Sequence, residues 1–313
     1  MIAGRHMIEE RRRRVREDRA WLSPPDPSIN HNIAFNAQHQ GTATWFFEGD
    51  ISTEWKSKPT GPLLWIHGKR APFCSLFPPS YQLLRTNIAG SGKSVLWSVI
   101  IFMFTPKELT PPTSSAIIQD IVALQKVGKA NIAYFYFEFR DTRKQHLGNA
   151  LASLLTQLSA HSDSYCDILT HVHEAHNNGA ERPSNETMMT CFKEMLALPD
   201  QSPVYIILDA LEECNNYYGG TSVLTLLRDL VGVRLPNLRI CVTSCQPGFS
   251  MRMMLEPLAS YLMSIHDQNG QKKDIGDCIR SSVYSGSGGL MRSWREEDKE
   301  WVIDTLNERA DGM

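Results

Sequence analysis

The chain has 313 residues, of which 42% are hydrophobic and 21% are charged, and its formal net charge is -2. These values are ordinary for a globular protein and exclude wholesale disorder or a coiled coil. The near-neutral balance gives no attraction toward nucleic acid or a membrane surface, and we expect neither as a partner. The seven cysteines form no CxxC pair and are odd in number, which is typical of reduced thiols inside a cell. We therefore expect a cytoplasmic protein.

A proline-rich run interrupts the first part of the chain. Trp21-Leu-Ser-Pro-Pro-Asp-Pro-Ser28 ends any preceding helix, because proline lacks an amide donor and restricts the residue before it. The residues before this run are highly charged and include no apolar segment of the kind that a secretory signal has. We divide the chain into a charged N-terminal segment with a Pro-rich linker (1–29), a prelude packed on the core (30–61), a principal domain (62–265) and a truncated C-terminal helical segment (266–313).

Beyond residue 62, compact apolar runs alternate with helical stretches. The predicted strands are Leu63–His67, Ile132–Phe139, Val204–Leu208, Leu238–Thr243 and Leu258–Ile265. Apolar residues at three- and four-residue spacing predict helices over Leu147–Leu158 and Ser222–Val231. This alternation predicts an α/β fold in which helices cover both faces of a mainly parallel sheet, with helical appendages at the two ends of the chain.

A phosphate-binding sequence follows the first predicted strand, but it is split in two. Ala89-Gly-Ser-Gly-Lys-Ser94 is the second half of a Walker A loop, and Gly68-Lys69 supplies the missing first half. In such loops the backbone amides wrap the phosphates, the lysine meets the terminal phosphates and the Ser hydroxyl holds magnesium. The predicted cofactor-binding residues are Gly68, Lys69, Ala89, Gly90, Ser91, Gly92, Lys93 and Ser94, with Ser94 as a magnesium ligand.

The 19 residues from Arg70 to Ile88 separate the two halves of this loop. They contain three prolines and no acidic residue, and their deletion joins a complete Walker A between a strand and a helix. Because the flanking codons can encode splice-site sequences, we hypothesise that residues 70–88 are a retained intron that disables the loop. The alternative is a genuine surface insertion that leaves a working loop, since closing a loop of this length costs little.

A second signature is the apolar run Val204–Asp209, which ends in a carboxylate as a Walker B strand does. Asp209 is the predicted ligand for the magnesium ion of the nucleotide. Glu212 and Glu213 follow directly, and we predict that one of them orients or activates the attacking water as the catalytic residue.

A third apolar strand ends in Thr243 and Ser244, whose hydroxyls we predict to contact the terminal phosphate. A plain core strand with a polar end is the alternative interpretation of this run. The histidines from His171 to His176 lack the four-residue spacing of a zinc-binding helix, which favours a solvated helix. Cys241 and Cys245 fit small packing residues better than a metal or redox site.

These motifs resemble the NACHT-type nucleotide-binding domains of fungal signalling proteins, which are also described as nephrocystin-like N-terminal domains. The matching blocks are Trp21-Leu-Ser-Pro-Pro-Asp-Pro, Gly41-Thr-Ala-Thr-Trp-Phe-Phe47, Leu64–Lys69 joined to Ala89–Ser94, Tyr134–Phe137 with Phe139-Arg-Asp141, Leu208–Cys214 and Ile240–Ser244. The resemblance implies a P-loop NTPase fold with three layers, α/β/α, that binds ATP or ADP with Mg²⁺. It also implies protein partners or a homo-oligomer, and ankyrin or similar repeats downstream that sense the signal.

The chain departs from the family pattern at three places. The Walker A is split, Glu212 stands where the family usually has aspartate, and Cys245 stands where it usually has arginine. The last change removes a cation near the terminal phosphate. The resulting interpretation is an ATP- or GTP-binding signalling switch with slow or absent hydrolysis. The alternative is a nucleotide-free scaffold or adaptor fragment that acts through protein contacts.

Overall fold

The computed structural model describes residues 2–36, 43–59, 62–68, 113–199, 201–215, 222–245, 249–265, 269–285 and 294–311. The chain divides into two compact units. The first unit consists of Met1–Asn36, Gly49–His67 and Ser114–Met263. The second unit consists of Ala37–Glu48, Gly68–Thr113 and Ser264–Met313.

A five-stranded sheet forms the framework of the first unit. Its strands are β1 (Leu63–His67), β2 (Asn131–Tyr136), β3 (Val204–Asp209), β4 (Leu238–Ser244) and β5 (Tyr261–Ser264). The strand order is β2-β3-β4-β1-β5, and the pairs β2–β3, β3–β4 and β4–β1 are parallel. The predicted parallel α/β fold is therefore confirmed. Because β2 lies three positions from β1, the chain crosses the sheet after β1 and returns through β3 and β4.

The described residues also form twelve α-helices. They are α1 (Ile2–Leu22), α2 (Ser28–Asn36), α3 (Thr44–Phe47), α4 (Asp50–Ser57), α5 (Thr113–Lys126), α6 (Leu147–Ser159), α7 (Asp163–Ala175), α8 (Asn185–Leu196), α9 (Val223–Val233), α10 (Phe249–Leu255), α11 (Asn269–Ser285) and α12 (Glu296–Asp311). Three begin at a serine, Ser162, Ser184 or Ser222, whose side chain accepts a hydrogen bond from a backbone N–H in the first turn. Such caps satisfy amide groups that would otherwise lack partners.

The hydrophobic core lies between the sheet and the helices packed against it. The predicted helices Leu147–Leu158 and Ser222–Val231 are confirmed as α6 and α9. Helix α6 packs against β2 and α8. Phe135, Leu155 and Phe192, from these three elements, have no solvent exposure. Burial of a side chain of this size contributes about 1.5–3 kcal/mol relative to its exposure to water.

Strand β2 ends earlier than its apolar composition predicts. The run was predicted to continue to Phe139, but the strand ends at Tyr136. The Phe137 N–H still donates to the Asp209 carbonyl at 3.0 Å, whereas Phe139 is 60% exposed. Between them, the Glu138 carboxylate accepts a hydrogen bond from Asn30 at 2.7 Å. The regular strand thus ends just before a residue whose side chain has a polar partner outside the sheet.

The charged helix α1 is held to α7 by ion pairs. The Arg14 guanidinium lies 2.6 Å from the Asp167 carboxylate, and Arg11 lies 3.5 Å from Asp163. Trp21, the next-to-last residue of α1, packs edge-on against His173 with the ring centroids 4.8 Å apart. The charges of this N-terminal segment thus hold α1 against α7 within the first unit. Among the described residues, no helix is long and apolar enough to cross a membrane.

In the second unit, the helices that lie wholly within the described residues are α3, α11 and α12. The Asp274 carboxylate on α11 accepts hydrogen bonds from the Trp45 indole at 3.0 Å and from the Ala43 N–H at 2.7 Å. A Cβ at Gly270 would come within 2.2 Å of the Trp45 ring, so the close approach of α3 and α11 requires glycine there. Arg280 and Glu300 form an ion pair at 2.9 Å between α11 and α12.

Candidate functional site

Polar side chains gather where the central strands end. Tyr136 is the register partner of Asp209, and His67 is the register partner of Ser244. Leu208 pairs with Val242, which places Asp209 beside Thr243. We call this region the carboxyl end of the sheet, and it comprises Tyr136, Asp209, Thr243, Ser244 and His67. In open α/β sheets, ligands bind outside the carboxyl ends of the strands where the strand order reverses.

Asp209 and Thr243 are in direct contact at this end. The Thr243 hydroxyl donates to Asp209 Oδ1 at 2.5 Å and accepts from the Ala210 N–H at 3.2 Å. Burial raises the pKa of the Asp209 carboxyl, and the nearby negative charge of Glu212 adds to this effect. Hydrogen bonds from Thr243 and Ser114 oppose the rise. The site thus contains a desolvated carboxylate whose charge is only partly offset by hydroxyl donors.

Helix α5 brings a further hydroxyl to Asp209. Ser114, in the first turn of α5, lies near both Asp209 and Tyr136, where its hydroxyl opposes the rise that burial causes in the pKa of each. Ser114 is 5% exposed and Tyr136 is 4% exposed, so both hydroxyls are shielded from solvent. Burial also raises the pKa of the Tyr136 hydroxyl, which therefore stays protonated and can act as a donor.

The chain turns sharply after Asp209. Ala210 has a φ of 56°, in the left-handed region, and leads into a short 3-10 helix, Leu211–Glu213. A non-glycine residue in this conformation is uncommon and costs about 1–2 kcal/mol. The turn places Glu212 and Glu213 directly beyond the end of β3.

The two glutamates occupy different environments. Glu213 Oε2 accepts a hydrogen bond from the Phe139 N–H at 2.8 Å, which links the turn to the segment after β2. Glu212 Oε2 is buried and has no hydrogen-bond partner among the described residues. A buried carboxylate oxygen without a partner is costly, and such a group is expected to be satisfied by water, an ion or a ligand.

On the other side of Asp209, β1 and β4 are joined through their side chains. The Trp65 indole donates to the Ser244 hydroxyl at 2.9 Å. Ser244 is 7% exposed and Trp65 is 1% exposed. The Ser244 hydroxyl, predicted to contact a phosphate, is thus already used in a buried hydrogen bond between two strands.

The structure brings together a subset of the residues predicted from sequence. Asp209, Glu212 and Thr243 lie close to one another at the carboxyl end of the sheet. Gly68 comes directly after β1 in the chain. Lys69 and the predicted loop residues Ala89, Gly90, Ser91, Gly92, Lys93 and Ser94 lie outside the described residues.

Sequence reasoning missed Ser114, Tyr136 and a neighbour of Tyr136, His31. Tyr136 offered a polar hydroxyl within an apolar run, but the run was predicted to continue to Phe139, so the sequence did not mark Tyr136 as a strand end. The serines after Pro111-Pro112 could have indicated a helix start, since serine is favoured there. For His31 the sequence offers no local signal, because its contacts join residues more than 80 positions apart.

The order of the parallel strands and the carboxylate beyond β3 define a P-loop-like α/β/α protein with three layers. The family model described as Nephrocystin 3, N-terminal, matches residues 79–245, more than half of the chain. The chain belongs to this family. The match begins inside the predicted insertion 70–88 and ends just after β4. No curated protein matches the chain at a significant level.

Proposed function

We propose that this protein is a nucleotide-binding signalling switch, which binds ATP or GTP with Mg²⁺ and hydrolyses it slowly or not at all. The observation that carries the proposal is the convergence of Asp209, Glu212 and Ser114 beside the carboxyl end of the sheet. In the sequence, Gly68-Lys69 directly follow β1, a strand of the same sheet. NACHT-type domains, which the sequence motifs resemble, use this position for nucleotide binding.

The residues present fit a magnesium–nucleotide complex. Asp209 is desolvated, and Glu212 carries a buried oxygen without a partner in the described part of the chain. A cation would offset both costs, because it favours the charged form of each carboxylate. Mg²⁺ is typically held by one or two carboxylates together with water and the phosphates of a nucleotide.

Each residue has a distinct role in this proposal. Asp209 holds the cation, and Thr243 and Ser114 orient its carboxylate. Glu212 or Glu213 positions the water that attacks the terminal phosphate, and Glu212 is the better placed because Glu213 is occupied by the Phe139 amide. Lys93 and Ser94 contact the phosphates and the cation. When bound, Mg²⁺ would neutralise charge on the phosphates.

A thermal-shift measurement with Mg²⁺ and ATP, ADP or GTP tests the proposal. A ligand present at about 100 times its dissociation constant adds about 2.7 kcal/mol of stability, which is easily measured. Two chains are compared, the full chain and the chain without residues 70–88. A shift in both supports a working loop that carries a surface insertion. A shift only after the deletion supports the retained-intron hypothesis.

Single substitutions separate specific binding from general effects. Lys93→Ala should abolish the shift, whereas Lys129→Ala, which removes the same charge from an exposed position, should leave it unchanged. Asp209→Asn should lose the Mg²⁺-dependent part of the shift while folding at least as well as the wild type, because it removes a desolvated charge. If neither chain responds to any nucleotide, the switch proposal is wrong and the nucleotide-free scaffold is favoured.

A further inference from the structure

His31 on α2 is buried beside the candidate site without belonging to any of the predicted motifs. It is 7% exposed, and burial lowers the pKa of its imidazole. Its Nδ1 lies 3.2 Å from the Tyr136 hydroxyl and 3.4 Å from the Ser115 hydroxyl. Its Nε2 lies 2.7 Å from the Gln119 side-chain amide. Both ring nitrogens are therefore engaged, one of them by the last residue of β2.

The contact with Tyr136 extends to Asp209. Tyr136 and Asp209 are register partners on neighbouring strands, so their side chains point to the same face of the sheet. The Ser114 hydroxyl lies near both of them and opposes the rise in the pKa of each group. His31, Tyr136, Ser114 and Asp209 thus form one contiguous polar cluster, which His31 joins through its 3.2 Å contact with the Tyr136 hydroxyl, and the polar groups of such a cluster polarise one another.

We propose that His31 is a positioning residue for Asp209 and that it couples helix α2 to occupancy of the cation site. This inference rests on the proposed function. A cation on Asp209 changes the hydrogen bonds that Ser114 and Tyr136 make, and the change reaches His31. Coupling of this kind is reciprocal, so a change in the docking of α2 alters cation affinity by the same factor.

A second histidine, His161, is partly buried and provides a matched control in the same unit. Burial also lowers the pKa of His161, and its ring contacts the side chain of Gln125 at 3.0 Å. Its Nε2, however, lies 2.8 Å from the Ile132 carbonyl, near the beginning of β2. His31 contacts the last residue of the same strand. Both histidines thus contact a glutamine and have a pKa lowered by burial, but only His31 touches the carboxyl end of the sheet.

The first experiment needs no ligand. A double-mutant cycle in urea unfolding combines His31→Leu with Asp209→Asn, and a parallel cycle combines His161→Leu with Asp209→Asn. Groups in one hydrogen-bond network are energetically coupled, whereas independent sites are additive. We expect the His31 cycle to show coupling of about fivefold or more in the unfolding equilibrium constant. The His161 cycle should be additive. Additivity in both cycles overturns the inference.

The second experiment measures the positioning of Asp209 through the Mg²⁺ dependence of ATP binding. It uses the full chain, or the chain without residues 70–88 if the full chain does not bind ATP. His31→Leu should raise the Mg²⁺ concentration for half-maximal binding by about tenfold, equivalent to about one lost hydrogen bond. His31→Gln, which keeps hydrogen-bonding capacity, should recover most of this loss, and His161→Leu should show none.

The outcomes distinguish the inference from the proposed function. An equal Mg²⁺ effect of His31→Leu and His161→Leu would reveal a general structural role and overturn the inference. If no chain binds nucleotide, the proposed function has failed, and the double-mutant cycle alone decides whether His31 positions Asp209.

Discussion

The interior of the sheet and its carboxyl end differ within a single strand. In β3, the residues from Val204 to Leu208 are all buried and apolar, whereas Asp209 ends the strand with a partly buried carboxylate. The next residue, Ala210, has the left-handed conformation. Beyond it, Glu212 carries a buried oxygen that has no partner among the described residues. Strain and desolvated charge therefore begin where the apolar run ends.

The two regions contribute to different properties: the interior of the sheet contributes to stability, and its carboxyl end contributes to the proposed ligand binding. The apolar interior contributes free energy of folding and fixes the strand register, so that the strand ends meet at one place. The carboxyl end includes groups that cost folding free energy, and such features concentrate at functional sites. We therefore expect substitutions in the interior to destabilise strongly, and substitutions at the carboxyl end to change ligand affinity more than stability.

Phe135→Ala should have the largest effect on stability. The Phe135 side chain has no solvent exposure in the interior of β2, and replacing a buried phenylalanine with alanine costs about 3–5 kcal/mol. Urea unfolding measures the change. Phe139→Ala is the matched control, because Phe139 follows the same strand but is 60% exposed. We expect it to cost less than about 1 kcal/mol. Similar losses in the two variants would contradict the placement of the core.

Asp18→Asn should stabilise the protein, and more so at high pH. Asp18 on α1 is 2% exposed, and burial, with a contribution from Glu17, raises its pKa to about 7, against the favourable charge of Arg14. A carboxyl whose folded pKa is raised contributes most to stability below its unfolded pKa, and this contribution is lost as pH rises toward about 7. The loss stops above that pH.

The asparagine variant lacks this titration. Its advantage over the wild type should therefore grow between pH 5 and pH 8 by about 1–2 kcal/mol, after allowance for solvent screening near α1. Urea unfolding at several pH values measures it. Parallel stability profiles for the two proteins would contradict the prediction. Asp18 would then resemble an exposed carboxylate rather than a buried one.

Thr243→Val should cost about 1–2 kcal/mol, because it removes the hydrogen bond to Asp209 and leaves the Ala210 N–H without its acceptor. The hydroxyl favours the ionised carboxylate, so its removal should raise the pKa of Asp209 further. The loss of stability should therefore increase as pH rises and Asp209 ionises. Thr243→Ser, which keeps the hydroxyl, should restore both stability and its pH dependence.

Sequence patterns predicted the interior of the sheet better than its carboxyl end. The predicted strands Leu63–His67, Val204–Leu208 and Leu238–Thr243 match β1, β3 and β4 to within one residue, because apolar runs that end in polar residues fix their limits. The predicted strand Leu258–Ile265 is observed only over Tyr261–Ser264. Short apolar runs indicate a strand more reliably than they indicate where it begins.

At the carboxyl end, the sequence indicated Asp209 and Thr243 but not the groups that surround them. Their contact at 2.5 Å follows from parallel pairing of two strands that each end in a polar residue. Ser114 and His31 come from helices, and a helix residue meets a strand end only through tertiary packing. The spacing of residues within one segment therefore cannot predict a contact between a helix residue and a strand end.

Ala210→Gly should have the smallest effect on stability, and it tests whether strain belongs to the site. Ala210 and Arg234 are both non-glycine residues in the left-handed conformation, with φ values of 56° and 53°. Arg234 merely ends α9, where glycine is the usual residue. Relief of strain is partly offset by the greater freedom of glycine in the unfolded chain, so each glycine variant should gain at most about 1 kcal/mol. Thermal unfolding measures this gain.

The two glycine variants should differ in ligand binding, because Ala210 lies between Asp209 and Glu212 in the chain, whereas Arg234 lies at the end of α9, outside the candidate site. Greater freedom at position 210 loosens the placement of both carboxylates, so Ala210→Gly should weaken Mg²⁺-dependent ATP binding while Arg234→Gly leaves it unchanged. Calorimetric titration of the two variants makes the comparison. Equal affinities would mean that the left-handed turn after β3 is a structural feature of the chain reversal, like the end of α9, and that the strain at the carboxyl end of the sheet has no part in binding.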